Sequence, residues 1–391
     1  MPFASLRSSK MSAAVALLVA AALPILSKPS AADSAPTEKI AFQGALTGPV
    51  AFYGTPIGNA VQLAVEQAQN EMKKVGVDLK YLPADDQVDP AQSAAVARKV
   101  IEDGHVIAVV GPMFGVDTIA AAPLYTEAKL PMISMGTAAE LATRKWTFFR
   151  AVPNDDLQGK AVGRYLTKVL GLKRIAVIED GTSYGHGLAA AVKASVTANG
   201  GDVVVSEAID PNTDDFSSTV AKIVANQAQG AFLGASVNPE TTFNRQLSEG
   251  GYKGAFFAPD GSLSPDFIRL AGPASEGTYF TCQCAPIPEY GGPATGPLAD
   301  FVAAYKARYG TFPQAYSAEG FDAANFVIQA IKAGARDGPA VDAYLHNNTY
   351  EGVSRTFKYE PNGEPIGTTI NIYQIKGNKI VWLGTTDTLI K

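Results

Sequence analysis

Two short stretches of the 391-residue chain carry spacings that could do chemistry. Gly181-Thr-Ser-Tyr-Gly185 has the GxSxG form of a nucleophile elbow, which would hold Ser183 on a sharp strand-to-helix turn with its hydroxyl free to attack an acyl group, and His346 lies downstream. Against a serine hydrolase, Glu179 and Asp180 separate this turn from the end of its strand, and no HGGG-like segment is present to form an oxyanion hole. The overlapping Gly185-His-Gly-Leu-Ala-Ala190 reads GxGxxA, with Glu207 at about the distance of a ribose-binding acid. Here too Glu179–Tyr184 stand where a dinucleotide site needs its first glycine, so the glycines read as close approach at a helix N-terminus. No GxxxxGK followed by Ser or Thr occurs. His105, His186 and His346 lie far apart without HExxH spacing, and two cysteines cannot supply a four-ligand zinc site, so no metal and no cofactor is expected.

The chain is 47% hydrophobic and 18% charged, enough apolar material for a large core and, at this length, for two domains. Thirty-two basic residues stand against 37 acidic ones without a basic run, so phosphate neutralisation has no source and nucleic acid is not an expected partner. Arg7 and Lys10, the apolar run Met11–Leu26 and the small residues Ser30-Ala31-Ala32 have the order of a secretory signal peptide spanning residues 1–32. Pro24 and Ser27 keep that run short of the ~20 apolar residues a membrane span needs. Without the leader, the chain has 29 basic and 37 acidic residues and a net charge of −8, which disfavours anionic membrane surfaces.

The remainder alternates strand and helix patterns. Strands are expected at Lys39–Leu46, Asp78–Leu82 and Val106–Val110, and again at Arg174–Ile178, Asp202–Ser206, Gly230–Leu233 and Gly254–Phe257. Thr55-Pro56 and Asp89-Pro90 each offer a cap and an N1 proline for the helix that follows. Two successive βα series imply two doubly wound α/β domains with Arg150–Asp155 as the linker between them. Ligands of parallel sheets bind beyond the strand carboxyl ends. The loops Thr47–Tyr53, Gly111–Asp117, Ser134–Thr137, Asp180–Gly187, Ala235–Asn238 and Pro259–Ser262 are therefore the expected walls of a cleft between the two domains.

At these loops Ala45-Leu-Thr-Gly-Pro-Val-Ala-Phe-Tyr-Gly54, Ala84-Asp-Asp-Gln-Val-Asp-Pro90, Gly136-Thr-Ala-Ala-Glu-Leu141, Ser183-Tyr-Gly-His-Gly-Leu188 and Phe257-Ala-Pro-Asp-Gly261 occur in order. In this the chain resembles the periplasmic leucine/isoleucine/valine-binding proteins. The resemblance implies an α/β clamshell of two doubly wound parallel-sheet lobes joined by a three-segment hinge. Its segments would be lobe one at 33–154 and 286–361 and lobe two at 155–285 and 362–391, with crossings near Val152–Asp155, Pro286–Tyr290 and Glu360–Glu364. It also implies a periplasmic, monomeric, non-enzymatic protein that captures a hydrophobic or branched-chain amino acid and delivers it to a membrane ABC permease.

Carried over by position, Thr137 matches a threonine that holds the ligand's α-amino and α-carboxylate groups, with Ser134 and Gly136 in the same loop. Tyr53 and Tyr184 match tyrosines closing from opposite lobes, and Asp260 falls where the family pairs the ammonium. Two positions depart from the pattern: Gly115 stands in place of a serine hydroxyl, and Val237 in place of a further tyrosine. Both remove bulk and polarity, so a bulkier amino acid, an aromatic carboxylate or a short amide remains open as cargo. Phe114, Met113 and Met135 could wall the pocket or belong to the core. A family disulfide would map onto Val88 and Phe114 and is absent as a pair. Cys282 and Cys284 lie two apart on one face of an expected strand Gly277–Cys284; a strained short-loop disulfide stays open in an oxidising compartment, but extended geometry holds the pair near the limit for bridging, so two free thiols are slightly favoured.

Overall fold

The computed structural model describes residues 35–293, 295–367 and 369–390. The leader expected at 1–32 lies outside the described residues.

The apolar runs become strands of two sheets, each buried on both faces. The first sheet holds β1 (Thr37–Gly44), β2 (Asp78–Asp85), β3 (Val106–Val110), β4 (Met132–Ser134) and β5 (Phe148–Arg150), all parallel, in the order β2-β1-β3-β4-β5. The second holds β6 (Arg174–Glu179), β7 (Asp202–Ala208), β8 (Gly230–Gly234), β9 (Ala255–Ala258) and β10 (Tyr279–Cys282), in the order β10-β9-β8-β6-β7. Numbered within its own lobe, each sheet has the same doubly wound order, so each has its switch point between its first and third strands. A small hairpin, β11 (Tyr350–Glu351) with β12 (Thr356–Phe357), precedes two more strands. Of these, β13 (Asn371–Ile375) extends the second sheet antiparallel to β10, and β14 (Ile380–Thr385) pairs antiparallel with β13 at the edge. The parallel strands of both lobes are as expected, and the second sheet is mixed only at this added edge; its last two strands are adjacent in sequence, and a short turn can join only antiparallel neighbours.

Alternation along the strands explains the layers. Ala41, Val109, Met132 and Phe148 face one apolar cluster, whereas Ile40, Phe42, Val110, Ile133 and Phe149 face another. In the second sheet Ile175, Val177, Phe232 and Phe257 point to one side and Ala176, Ile178, Leu233 and Phe256 to the other. Such double burial is what continuous β-branched runs specify.

The helices are α1 (Ala51–Lys74), α2 (Pro90–Glu102), α3 (Gly115–Glu127), α4 (Asp155–Arg164), α5 (Ser183–Ala198), α6 (Ser217–Ala225), α7 (Val237–Glu249), α8 (Pro265–Ala271), α9 (Pro297–Tyr309), α10 (Ser317–Lys332), α11 (Gly338–Asn347) and α12 (Thr386–Leu389). α2 starts as expected, with the Asp89 carboxylate accepting from the Gln92 amide and Pro90 at the first turn. α1 begins one turn earlier than Thr55-Pro56 implied. The Gly48 turn brings the Val50 carbonyl under the Tyr53 and Gly54 amides, so Pro56 lies inside the helix and Tyr53 sits on its first turn rather than in a loop.

The chain passes between the sheets after Arg150, after Cys282 and between Phe357 and Asn371, since α1, α9, α10 and α11 pack about the first sheet and α4, α5 and α7 about the second. In the third passage Gly363 has φ +79°, and a Cβ there would stand 1.8 Å from the Phe148 carbonyl oxygen. Only glycine fits that approach. Gly363→Ala is expected to cost about 1–3 kcal/mol by overpacking and backbone strain, seen as a fall of several degrees in Tm by calorimetry; an unchanged Tm would contradict the packing described.

Candidate functional site

The loops at the two switch points converge on one buried carboxylate. Asp260 follows β9 and is 6% exposed. Its Oδ1 accepts from Gln158 Nε2 at 2.7 Å and from the Tyr184 hydroxyl at 2.9 Å, its Oδ2 lies 2.5 Å from the Tyr316 hydroxyl, and its backbone carbonyl accepts from the Tyr53 hydroxyl at 3.0 Å. Tyr184 and Gln158 come from α5 and α4 on the second sheet, while Tyr53 and Tyr316 come from α1 and the residue preceding α10, which pack on the first. Tyr316 holds φ +67°, a left-handed conformation that few non-glycine residues adopt, and this turns its ring into the junction. Burial raises the Asp260 carboxyl, against the pull of the Tyr316, Gln158 and Tyr184 hydrogen bonds.

The Tyr316 hydroxyl has one proton and two acceptors, because Gln283 Oε1 lies 3.1 Å away. With Asp260 ionised, Tyr316 donates to it. With Asp260 protonated, the acid donates to Tyr316 and Tyr316 donates to Gln283. Gln283 Nε2 then meets Gln158 Oε1 at 2.9 Å, and Gln158 Nε2 returns to Asp260, so four side chains close a ring of hydrogen bonds.

Two further carboxylates adjoin this centre. Asp155, at the start of α4, gives its backbone amide to the Thr137 carbonyl at 2.9 Å, and its Oδ1 is buried without a partner. Burial and then the charge of Asp260 push its carboxyl up to about 7, while the Thr137 hydroxyl and Arg150 draw it down. Glu240 on α7 is fully buried; its Oε1 accepts from the Ala235 amide at 3.2 Å and its Oε2 has no partner. Burial raises this carboxyl well above its ordinary range. Asp260 and these two acids, each of which keeps one buried oxygen without a partner, form an acidic centre suited to a cationic group.

Thr137 lies in a loop braced from every side. The Ser134 hydroxyl donates to the Pro112 carbonyl at 3.0 Å, accepts from the Gly136 amide at 2.9 Å and meets the Thr118 hydroxyl at 2.9 Å. Ser134 is thus committed within the lobe and shapes the loop instead of facing the cleft. Arg150, fully buried, donates to the Gly136 and Ala138 carbonyls and forms a two-pronged pair with Glu364 in the third passage, with Nη2–Oε1 at 2.9 Å. Gly115 opens α3, where the Asp117 carboxylate accepts from the Met113 and Phe114 amides, leaving the first-turn amides of that helix directed at the cleft end of the sheet. Val237 is the first residue of α7. Met113 and Met135 belong to the core, and Phe114 packs edge-on to Tyr53.

The enzyme motifs do not assemble. Ser183 is exposed at the start of α5, the His346 ring lies tilted against Phe149 with centroids 4.6 Å apart, and His186 pairs with Glu179 at 3.0 Å on the surface. Among the described residues no hydrogen bond joins Ser183 to either histidine. Gly185 is a close-approach glycine, since a Cβ would stand 2.3 Å from both Asp180 Oδ1 and the Gly234 carbonyl. Glu207 is occupied by Thr219 and Lys222. The expectation of two free thiols is overturned: Cys282 and Cys284 are bridged, because β10 ends at Cys282 and the chain leaves extended geometry, drawing the Cα atoms to 5.1 Å, inside the bridging range. A cavity of about 320 Å³ opens where β9 and β10 begin, lined by Asn244, Tyr252 and Thr278, at the opposite end of the sheet from the converging loops.

Sequence reading missed Asp155, Gln158, Glu240, Arg150, Gln283 and Tyr316. Asp155 and Gln158 share one face of α4 at i and i+3, directly after the linker, and that spacing was available as a signal. Tyr316 carries none, since nothing in the neighbouring sequence marks its left-handed backbone.

Two lobes of matched topology that meet through an acidic, tyrosine-walled junction define a two-lobed solute-binding protein. The chain belongs to the periplasmic binding protein family, whose model matches residues 37–379, in the branch of substrate-binding components of branched-chain amino acid ABC transporters. It is 30% identical over 357 residues to a leucine-, isoleucine-, valine-, threonine- and alanine-binding protein of Pseudomonas aeruginosa, covering 90% of this chain and 94% of that one. A leucine-binding protein from Thermotoga maritima superposes with a TM-score of 0.80 at 25% identity, covering 89% of this chain and 98% of the other. An isoleucine-bound substrate-binding protein of a branched-chain amino acid transporter from Streptococcus pneumoniae also gives 0.80, at 23% identity, covering 89% and 98%. The family's members are substrate-binding transport proteins rather than enzymes.

The Arg150–Glu364 pair carries a direct test. Arg150→Met leaves Glu364 without its cation and should cost about 3–5 kcal/mol, whereas adding Glu364→Gln should restore much of that. Denaturant unfolding of the two variants checks it, and equal losses in both would refute the pairing.

Proposed function

We propose that this protein captures a hydrophobic or branched-chain amino acid between its lobes, in an extracytoplasmic compartment, and hands it to a membrane permease without chemical change. The observation that carries the reading is the buried acidic centre, Asp260 with Asp155 and Glu240, which an incoming ammonium would neutralise. Thr137, the Gly115 end of α3 and Tyr53 would receive the ligand on the first lobe; Tyr184 and Asp260 would close on it from the second. Because the second set engages only on closure, its contacts select the closed form. The backbone amides of α3 suit the α-carboxylate. An aromatic carboxylate that brings no cation would meet three buried acids, so this centre favours amines. Hinge segments at 154/155, 285/286 and 361/362, a monomeric state and cleavage of residues 1–32 complete the reading. The relative from Pseudomonas aeruginosa, named for leucine, isoleucine, valine, threonine and alanine, supports an amino acid of this class as ligand.

A thermal-shift screen tests the proposal. Leucine, isoleucine or valine at 100 times its Kd should add about 2.7 kcal/mol, while benzoate and isovalerate should leave Tm unchanged. Asp260→Asn should weaken amino-acid binding by ten- to a hundredfold, the worth of a charge-assisted bond of about 1.5–3 kcal/mol. A shift with benzoate alone would overturn the amine reading.

The pH dependence follows in sign. Asp155, pushed up to about 7 in the empty protein, holds a proton below that pH which an arriving ammonium expels, and the raised Asp260 carboxyl works in the same direction, so binding releases protons. Affinity should therefore rise with pH from the ordinary carboxylate range, about 4, towards about 7. The stability of the empty protein should fall across the same window, since an acid raised in the folded state stabilises below its unfolded value and loses that contribution as pH rises through the folded one. Calorimetry in buffers of different ionisation enthalpy reads the proton release. Asp155→Asn should flatten the profile, and affinity that falls with pH would contradict the assignment.

A further inference from the structure

The Cys282-Gln283-Cys284 turn stands where the three passages between the sheets meet. Gln283, fully buried between the bridged cysteines, donates to Gln158 and holds its Oε1 3.1 Å from the Tyr316 hydroxyl, which donates to it while Asp260 is protonated; Gln158 and Tyr316 are both partners of the Asp260 carboxyl. Gln158 lies one turn into α4, just beyond the first passage. The Gln283 carbonyl accepts from Arg355, the Ala285 amide donates to Glu319 at 2.7 Å, and the Cys284 carbonyl accepts from Asn371 Nδ2 at 2.9 Å at the end of the third passage. The turn is therefore tied to residues that reach it from all three passages.

A bridge spanning a single residue leaves that residue few backbone conformations. Gln283 has a long side chain with several rotamers, and an amide in the wrong orientation would set like atoms against Tyr316 and Gln158. The bridge fixes the backbone from which that amide projects, and the two bonds from Gln283 fix Tyr316 and Gln158 in turn. We propose that the Cys282–Cys284 disulfide and Gln283 together are positioning residues for Asp260: the bridge holds the Gln283 amide, and the amide holds two of the three side chains that orient the ligand-binding carboxylate. They touch no ligand, and they act on ligand affinity through Tyr316 and Gln158. The inference rests on the reading of Asp260 as a ligand contact.

The test uses the purified protein, with L-leucine as the calorimetric probe and amide hydrogen exchange of residues 258–263 as a readout that needs no ligand. Thiol titration in denaturant should find no free thiol, and two would overturn the proposal. The double variant C282S/C284S should raise the leucine Kd about tenfold and speed exchange at 258–263 by a similar factor, with β1 and β3 exchanging as before. Gln283→Leu, which keeps the bridge, should do the same. Combining all three substitutions should add little, because both changes remove one chain of contacts. Should C282S/C284S fail to fold, Gln283→Leu alone decides. Unchanged affinity and exchange in the variants, or losses that add in full, would refute the positioning role. If the unsubstituted protein does not take up leucine, the ligand reading falls separately, and the exchange of residues 258–263 still decides whether the bridge holds Asp260.

Discussion

A carboxylate taken out of water must be given donors, and the donors for Asp260 come from both lobes. Removing the charge from solvent costs several kcal/mol, which only well-aimed hydrogen bonds offset. Gln158 and Tyr184 supply them from the second lobe, Tyr316 from the first, and Tyr53 binds the same residue's carbonyl. The lobes therefore meet through polar contacts at one residue. Such a junction can be rearranged by any group that gives the carboxylate a better partner, as the proposed ammonium would. The same low dielectric that makes the empty arrangement costly makes the occupied one strong.

The scaffold serves that residue. Repeating one strand order in each lobe aims two switch points at a common crevice, and the loops that carry Tyr53, Gly115, Thr137, Tyr184 and Asp260 all leave strand carboxyl ends or open the helices that follow. Arg150 links the Thr137 loop to the third passage through Glu364, and Gln283 links Asp260 to the second. The loops at the strand ends and the passages between the sheets thus share side chains, joined by packed, hydrogen-bonded groups.

Much of this was legible in the residues. β-branched runs at Val106–Val110 and Arg174–Ile178 could only be strands buried on both faces, and the position of the cleft loops followed from strand polarity. Asp260 and Tyr184 were legible through resemblance to known binding proteins, and both occupy the junction. What escaped was set by contacts distant in sequence. Nothing local announces that Arg150 will be buried whole against Glu364, or that Tyr316 will take a left-handed backbone. Ser134 looked like a ligand hydroxyl, yet its neighbours Pro112 and Gly136 consume it. The cysteines were misread because the strand was extended two residues too far: it ends at Cys282, and the turn beyond brings the sulfurs together.

The central claim is that the acidic junction between the lobes receives the ligand's amine. A crystal structure grown with L-leucine tests it most directly. The account predicts the ammonium nitrogen within about 3 Å of a carboxylate oxygen of Asp260 or Asp155, with the carboxylate of the ligand against Thr137 and the first turn of α3. Leucine bound elsewhere, or with its amine turned away from both acids, would contradict it.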